Sequence, residues 1–346
     1  MTASGDILII HCGDLTAFVN ALPALHALRR AYRGGGVTLV AEAPVSKLAA
    51  DTPYVDDVIE VESLDDARET ARVIQRIKSE KVACVFDLER SDASEKLFAS
   101  MRPFPPPWCG GARGMKFRYD APEGAPMRET LARQLEVAGV MLDPGEKPDA
   151  RWASTARANA PSLKPEYFGL TRPYVLLAPA SPAPGAPPRW PTARFAGLAA
   201  RLSANGVSVG IIAEPGDRAP ARAVYQAYPD VKDLAARADL TQIAALAAEA
   251  GGALGHADSG VTHLMAAAGA PTISIAPSHE EGQKSGPAGG AVITLAAPEP
   301  TKTTVDYAAQ LIAMYARVGS LDRRAPEELG EPTGEDTGEE IGDQSG

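Results

Sequence analysis

Gly255-His256-Ala257-Asp258-Ser259-Gly260-Val261-Thr262-His263-Leu264-Met265-Ala266-Ala267-Ala268-Gly269-Ala270-Pro271 lies between two short apolar runs, Ala253-Leu254 before it and Thr272-Ile273-Ser274-Ile275 after it. Val261 to Ala268 reads as a buried helix of small residues, so Asp258, Ser259 and Gly260 sit where a strand ends and a helix begins. Unpaired N–H groups and the positive end of the helix dipole gather there, and such a junction collects anions. Asp258 or Ser259 serving only as an N-cap is the plainer alternative. A carboxylate, a hydroxyl, a flexible glycine and His263 in one turn form a set that can hold both a phosphate and sugar hydroxyls.

The same alternation of apolar run and helical spacing extends in both directions. Ile7-Leu8-Ile9-Ile10, Val37 to Val40, Val55 to Val61 and Val82 to Phe86 read as strands, the first as a central parallel one. Between them, helices are expected over Ala21 to Tyr32, around Leu48 and over Asp65 to Lys78, and another over Met127 to Gly139. In the second half, strands are expected at Tyr174 to Leu177, Val207 to Ile212 and Ala291 to Leu295. Helices are expected at Thr192 to Ala204, Ala219 to Ala227, Leu240 to Ala250 and Thr304 to Val318. This is an α/β chain with two doubly wound Rossmann-like domains facing across a cleft, and ligands in such folds bind at the carboxyl ends of the strands. The expected boundaries are 1–142 for the first domain, 143–172 for a connector, 173–302 for the second domain and 303–320 for a helix at the domain junction.

At 346 residues there is room for two cores, and 45% apolar with 23% charged residues is an ordinary soluble composition. No apolar run reaches the roughly 20 residues that span a bilayer. The N-terminus lacks the basic region of a secretory signal. These features place the chain in the cytoplasm or at the inner face of a membrane. The net charge of −10 is concentrated at the end: Leu321 to Gly346 carries nine acidic residues against Arg323 and Arg324, and reads as a disordered acidic tail. The remaining body is not basic enough to make a nucleic acid polymer a partner. Cys12, Cys84 and Cys109 are widely spaced without C-x-x-C pairing, Cys12 and Cys84 fall in expected strands where a reduced cysteine behaves as a small apolar residue, and no His/Cys/Asp cluster has metal-ligand spacing.

Arg102 to Tyr119 breaks the pattern with Pro103, Pro105, Pro106 and Pro107, and Arg113, Lys116 and Arg118 follow. This segment is either a solvated loop or a basic wall for a phosphorylated acceptor.

On these blocks the chain resembles glycosyltransferase family 9, the bacterial heptosyltransferases of lipopolysaccharide core synthesis. The resemblance is carried by Ile7 to Ala31, Ala83 to Leu88, Arg189-Trp190-Pro191-Thr192-Ala193-Arg194-Phe195, Pro215-Gly216-Asp217, and above all Asp258-Ser259-Gly260-Val261-Thr262-His263-Leu264. It implies a GT-B fold and inverting, metal-independent transfer of heptose or a related sugar from an ADP-sugar. The acceptor would be an anionic lipid or glycan, no cofactor would be needed, and the protein could associate peripherally with the inner membrane. It further implies that Asp258 binds heptose hydroxyls and that Ser259, Gly260 and Val261 offer N–H groups to the diphosphate. His263 belongs to the same motif, and Asp217 would face the ribose unless it only caps the next helix.

Two positions depart from the family. Its first loop carries a Gly-Asp whose Asp is the catalytic base, and without gaps that pair falls on Thr16-Ala17. Ala17 cannot take a proton; Gly13-Asp14 lies three residues earlier, and Asp14 serves as base only if the loop is rebuilt. The family's lysine before Trp-Pro falls on Pro188, leaving Arg189 as its substitute. Two readings therefore stand: an active glycosyltransferase, or a degenerate relative that keeps sugar-nucleotide binding as a binding or regulatory protein. A third use of the scaffold, such as nucleotide-sugar epimerisation, has only the fold behind it.

Overall fold

Continuous apolar runs become the central strands of two parallel sheets. The structure, a computed structural model, describes residues 5–157, 160–182, 189–300 and 302–316. The acidic tail and the Pro188 position lie outside them. The first sheet contains β1 (Ile7–Ile10), β2 (Val37–Glu42), β3 (Asp57–Val61), β4 (Cys84–Asp87), β5 (Trp108–Gly110) and β6 (Phe117–Arg118), in the order β3-β2-β1-β4-β5-β6. The second contains β7 (Tyr174–Ala178), β8 (Ser208–Ile211), β9 (Lys232–Asp233), β10 (Gly252–His256), β11 (Thr272–Ala276) and β12 (Val292–Ala296), in the order β12-β11-β10-β7-β8-β9. Every strand pairing within the two sheets is parallel. Both sheets reverse their strand order beside the first strand of the half, between β1 and β4 and between β7 and β10. The loops leaving those strands flank the crevices where ligands bind in doubly wound folds.

Helices cover both faces: α1 (Leu15–Ala31), α2 (Val45–Ala50), α3 (Ala67–Glu80), α4 (Asp92–Ser100) and α5 (Met127–Val137) in the first half. In the second are α6 (Thr192–Ala204), α7 (Ala219–Ala227), α8 (Leu240–Glu249), α9 (Gly260–Ala267), α10 (His279–Ser285) and α11 (Val305–Tyr315). The last helix, read from sequence as lying at the junction, packs on α6 and buries Ala308, Ala309 and Ile312 in the core of the second sheet. Among the described residues no helix is long and apolar enough to cross a membrane.

One difference from the sequence reading matters for the site. Helix α1 begins at Leu15 rather than Ala21, because Asp14 caps it by accepting from Ala17 N at 2.8 Å, and Pro23 is accommodated inside it. The expected loop is therefore only His11 to Asp14, and Ala17 lies in the helix's first turn.

The two halves share a core. Leu15, Val19 and Leu22 of α1 belong to the same buried cluster as Ile243 of α8 and Val261, Leu264 and Met265 of α9. A polar clamp reinforces the contact: Arg157 binds Asp51 and Asp239, while Thr241 Oγ1 donates to Asp51 Oδ2 at 2.7 Å.

Asp87, at the end of β4, is fully buried and accepts from Arg90 N and Ser94 Oγ, both at 2.8 Å. Burial pushes its carboxyl up to about 6 against the relief these donors give. The folded chain thus holds this proton more tightly than the unfolded chain, so stability falls as pH rises from about 4 to about 6 and is level above. Urea unfolding at pH 4 and pH 7 should show the parent losing roughly 2 kcal/mol more than Asp87→Asn over that interval. Equal losses would remove Asp87 as the source.

Candidate functional site

Strand β10 delivers His256 to its carboxyl end, the chain turns at Ala257 and Asp258, and α9 starts at Gly260. Bare glycines permit this geometry at two places. A Cβ on Gly255 would lie 2.2 Å from Thr262 Oγ1, so α9 folds directly back over β10. A Cβ on Gly260 would lie 2.8 Å from Leu15 Cβ and 3.0 Å from Thr16 N. The N-terminus of α9 therefore abuts the N-terminus of α1, bringing the Asp258 turn and the Asp14 turn together across the cleft.

Asp258 is exposed and its Oδ2 receives Arg189 Nη2 at 2.7 Å. Ser259 does not cap α9 with its side chain; its Oγ donates to Glu214 Oε1 at 2.5 Å, and Val261 N donates to the same oxygen at 3.1 Å. A carboxylate from the end of β8 thus sits on the helix N-terminus, where a partial positive charge favours it. His263 is buried, with Nε2 donating to Ala257 O at 2.8 Å, and burial lowers its pKa. The ring braces the turn from inside. Asp217 accepts from Ser181 N at 2.9 Å and from Ser181 Oγ at 3.2 Å, so it ties the β7 loop to the β8 loop rather than capping α7. Beside Arg189 lies His256, 5% exposed, which desolvation and the neighbouring guanidinium hold neutral, with a pKa lowered to about 3.

Across the cleft, Asp14 is exposed and lines a cavity of about 340 Å³ with Thr16, Ala17, Arg128 and Lys284. Among the described residues neither Arg128 nor Lys284 forms an ion pair. The cations expected to serve an acceptor lie elsewhere. Arg118 is on the edge strand β6 and pairs with Asp120, Lys116 lies over the Phe117 ring, and Arg113 holds Arg102 through its backbone carbonyl. None of the three lines this cavity. A second cavity, of about 560 Å³, runs between Pro44 and Lys47 of the first half and Glu214, Gly216, Arg218 and Thr241 of the second.

Sequence reading missed Glu214, Arg128 and Lys284. It also missed Glu89, whose Oε2 accepts from Cys12 N at 2.9 Å and helps to set the loop before Asp14. Glu214 carried one usable signal: an acid in the loop that follows a buried strand, at the carboxyl end where sites form. Among the described residues no group of three or more His, Cys, Asp or Glu side chains is arranged to hold a metal.

Comparison with solved structures agrees with this architecture. The chain is similar to E. coli ADP-heptose lps heptosyltransferase II, with 17% identity and a TM-score of 0.70 over 90% of this chain and 98% of that one. It is also similar to E. coli heptosyltransferase WaaC with ADP-2-deoxy-2-fluoro heptose, with 19% identity and a TM-score of 0.68 over 90% and 100%. The UDP-GlcNAc 2-epimerase from Neisseria meningitidis, bound to UDP-GlcNAc, is more distant, with 11% identity and a TM-score of 0.53 over 92% and 95%. At such identities these likenesses show the two-domain GT-B fold and no more. No curated protein matches by sequence. The sequence profile described as glycosyltransferase family 9 (heptosyltransferase) matches residues 115–311, more than half the chain. With two parallel sheets facing across a cleft and the Asp258 turn at its edge, the chain belongs to glycosyltransferase family 9.

Proposed function

We propose that the chain transfers heptose or a related sugar from an ADP-sugar to an anionic lipid or glycan acceptor, with inversion and without a metal. The observation that carries this reading is the contact of Gly260 with Leu15 and Thr16, which sets the Asp14 turn against the Asp258 turn. Such an arrangement holds a proton acceptor and an anion seat on opposite sides of one reacting centre. The nucleoside would occupy the cavity of about 560 Å³. Ser259, Gly260 and Val261, with Arg189, would receive the diphosphate, and Asp258 a sugar hydroxyl.

Asp14 Oδ1 is engaged by Ala17 N, and its other oxygen is available to take the acceptor's hydroxyl proton. As the acceptor oxygen bonds to the anomeric carbon, the bond to the diphosphate breaks and its electron pair leaves with the phosphate. The α9 dipole and Arg189 would stabilise that charge. Arg128 and Lys284, beside Asp14 in the same cavity, suit an anionic acceptor. Lipid-linked acceptors of that kind would draw the protein to the inner face of the cytoplasmic membrane, within lipopolysaccharide synthesis.

A second reading, a sugar-nucleotide-binding protein without turnover, is favoured by the Glu214 carboxylate on α9 and the methyl at Ala17. Calorimetry with ADP and ADP-heptose tests both readings, and absence of binding at millimolar ligand would overturn both. With binding in hand, mass spectrometry of a lipopolysaccharide-core acceptor incubated with ADP-heptose separates them. A mass increase of one heptose is expected, and an unmodified acceptor would select the binding protein.

A further inference from the structure

The groups that the proposed donor seat would offer a diphosphate are already engaged within the chain. Glu214 Oε1 accepts from Ser259 Oγ at 2.5 Å and from Val261 N at 3.1 Å, taking one side-chain and one backbone donor at the start of α9. Arg189 Nη2 is held by Asp258 at 2.7 Å. Among the described residues no cation is paired with Glu214; its charge is met by α9 and the Ser259 hydroxyl. Among the described residues, other polar atoms on this flank lack partners: both ring nitrogens of buried His256, and Nη1 of Arg189 beside it. Buried polar groups left in this condition mark a place where a ligand or water completes the bonding.

We infer that Glu214 determines which ligands the donor seat admits. Its carboxylate is an internal anion standing where the β-phosphate would stand, and a diphosphate enters only as Glu214 leaves. The exit is present: Glu214 already lines the cavity of about 560 Å³ beside Gly216 and Arg218, so a rotation of its side chain can carry the carboxylate toward Arg218. The seat therefore resists small free anions and yields to a ligand whose nucleoside is anchored next door. This inference rests on the donor-site reading, and it reverses the sign expected if Glu214 were simply a hydroxyl-binding contact for the ribose.

The test is calorimetric titration of ADP and adenosine into the parent, Glu214→Gln and Glu214→Ala, with thermal unfolding to verify that each is folded. Glu214→Gln keeps an oxygen that can accept from Ser259 but removes the charge; Glu214→Ala removes both. The ratio of ADP to adenosine affinity is expected to rise roughly tenfold or more in the alanine variant and by an intermediate factor in the glutamine variant. An unchanged or reduced ratio, with adenosine still bound, overturns the inference and leaves the donor site standing. If neither ligand binds any of the three folded proteins, the donor-site reading falls and this inference with it.

Discussion

Gly260→Ala is expected to destabilise the chain by about 2–3 kcal/mol and to weaken ADP binding at the same time. The added methyl would lie 2.8 Å from Leu15 Cβ and 3.0 Å from both Leu15 Cγ and Thr16 N. Two of those atoms belong to backbone or to the root of a side chain, so no rotamer change relieves the contact. Leu15 is 5% exposed and belongs to the core common to both halves, which leaves α1 little room to retreat. Either the clash is borne in place, or the starts of α1 and α9 move apart and pull the Asp14 turn away from the Asp258 turn. Urea unfolding and ADP calorimetry on one preparation read both outcomes. Parent-like stability would mean that the close approach is not a constraint, and the proposed assembly of the site would lose its main support.

Much of the architecture is legible because central parallel strands are buried on both faces and read as unbroken apolar runs, as Ile7 to Ile10 and Tyr174 to Leu177 do. Helices α6 and α7 follow the expected spans to the residue. What escaped reading was short, or sat where local signals conflict. Strands β5, β6 and β9 have only three, two and two residues, too few for a period to show. The start of α1 was hidden by Thr16, Asn20 and Pro23, each a poor helix former, in a helix that tertiary burial nevertheless sustains.

At the site, the Asp258 turn was visible because its strand and helix are contiguous in the chain. Glu214 was not, since it lies 45 residues from Ser259 and arrives only because β8 stands next to β7, and β7 next to β10. Arg128 and Lys284 reach one cavity from opposite halves. Local sequence pattern contains no statement about such neighbours. The basic segment around Arg113 reads from sequence as either a solvated loop or an acceptor wall because Arg113, Lys116 and Arg118 lie close together in the chain, and in the structure Arg118 has Asp120 and the Gly111 carbonyl as partners.

Asp14→Asn is the substitution that separates catalysis from architecture at this site. Asp14 has two separable roles: its Oδ1 caps α1 through Ala17 N at 2.8 Å, and its carboxylate faces the cavity shared with Arg128 and Lys284. Asparagine caps a helix about as well as aspartate, so the fold and the approach of α1 to α9 should persist. An amide does not accept a proton at neutral pH, so sugar transfer should fall by about 10²–10⁴-fold. The loss should appear in kcat, with donor KM and ADP affinity near those of the parent, because no group of the proposed nucleotide seat is touched. Asp14→Ala adds the loss of the cap, about 1 kcal/mol of stability, and should be no slower per folded molecule than the asparagine variant. Turnover unchanged in Asp14→Asn would remove this carboxylate as the base. Attention would then shift to Glu89, whose Oε2 and the Ala17 methyl would lie 3.3 Å and 3.0 Å from a Cβ placed on Gly13. That arrangement puts a second carboxylate within a side chain's reach of the position where the family keeps its own.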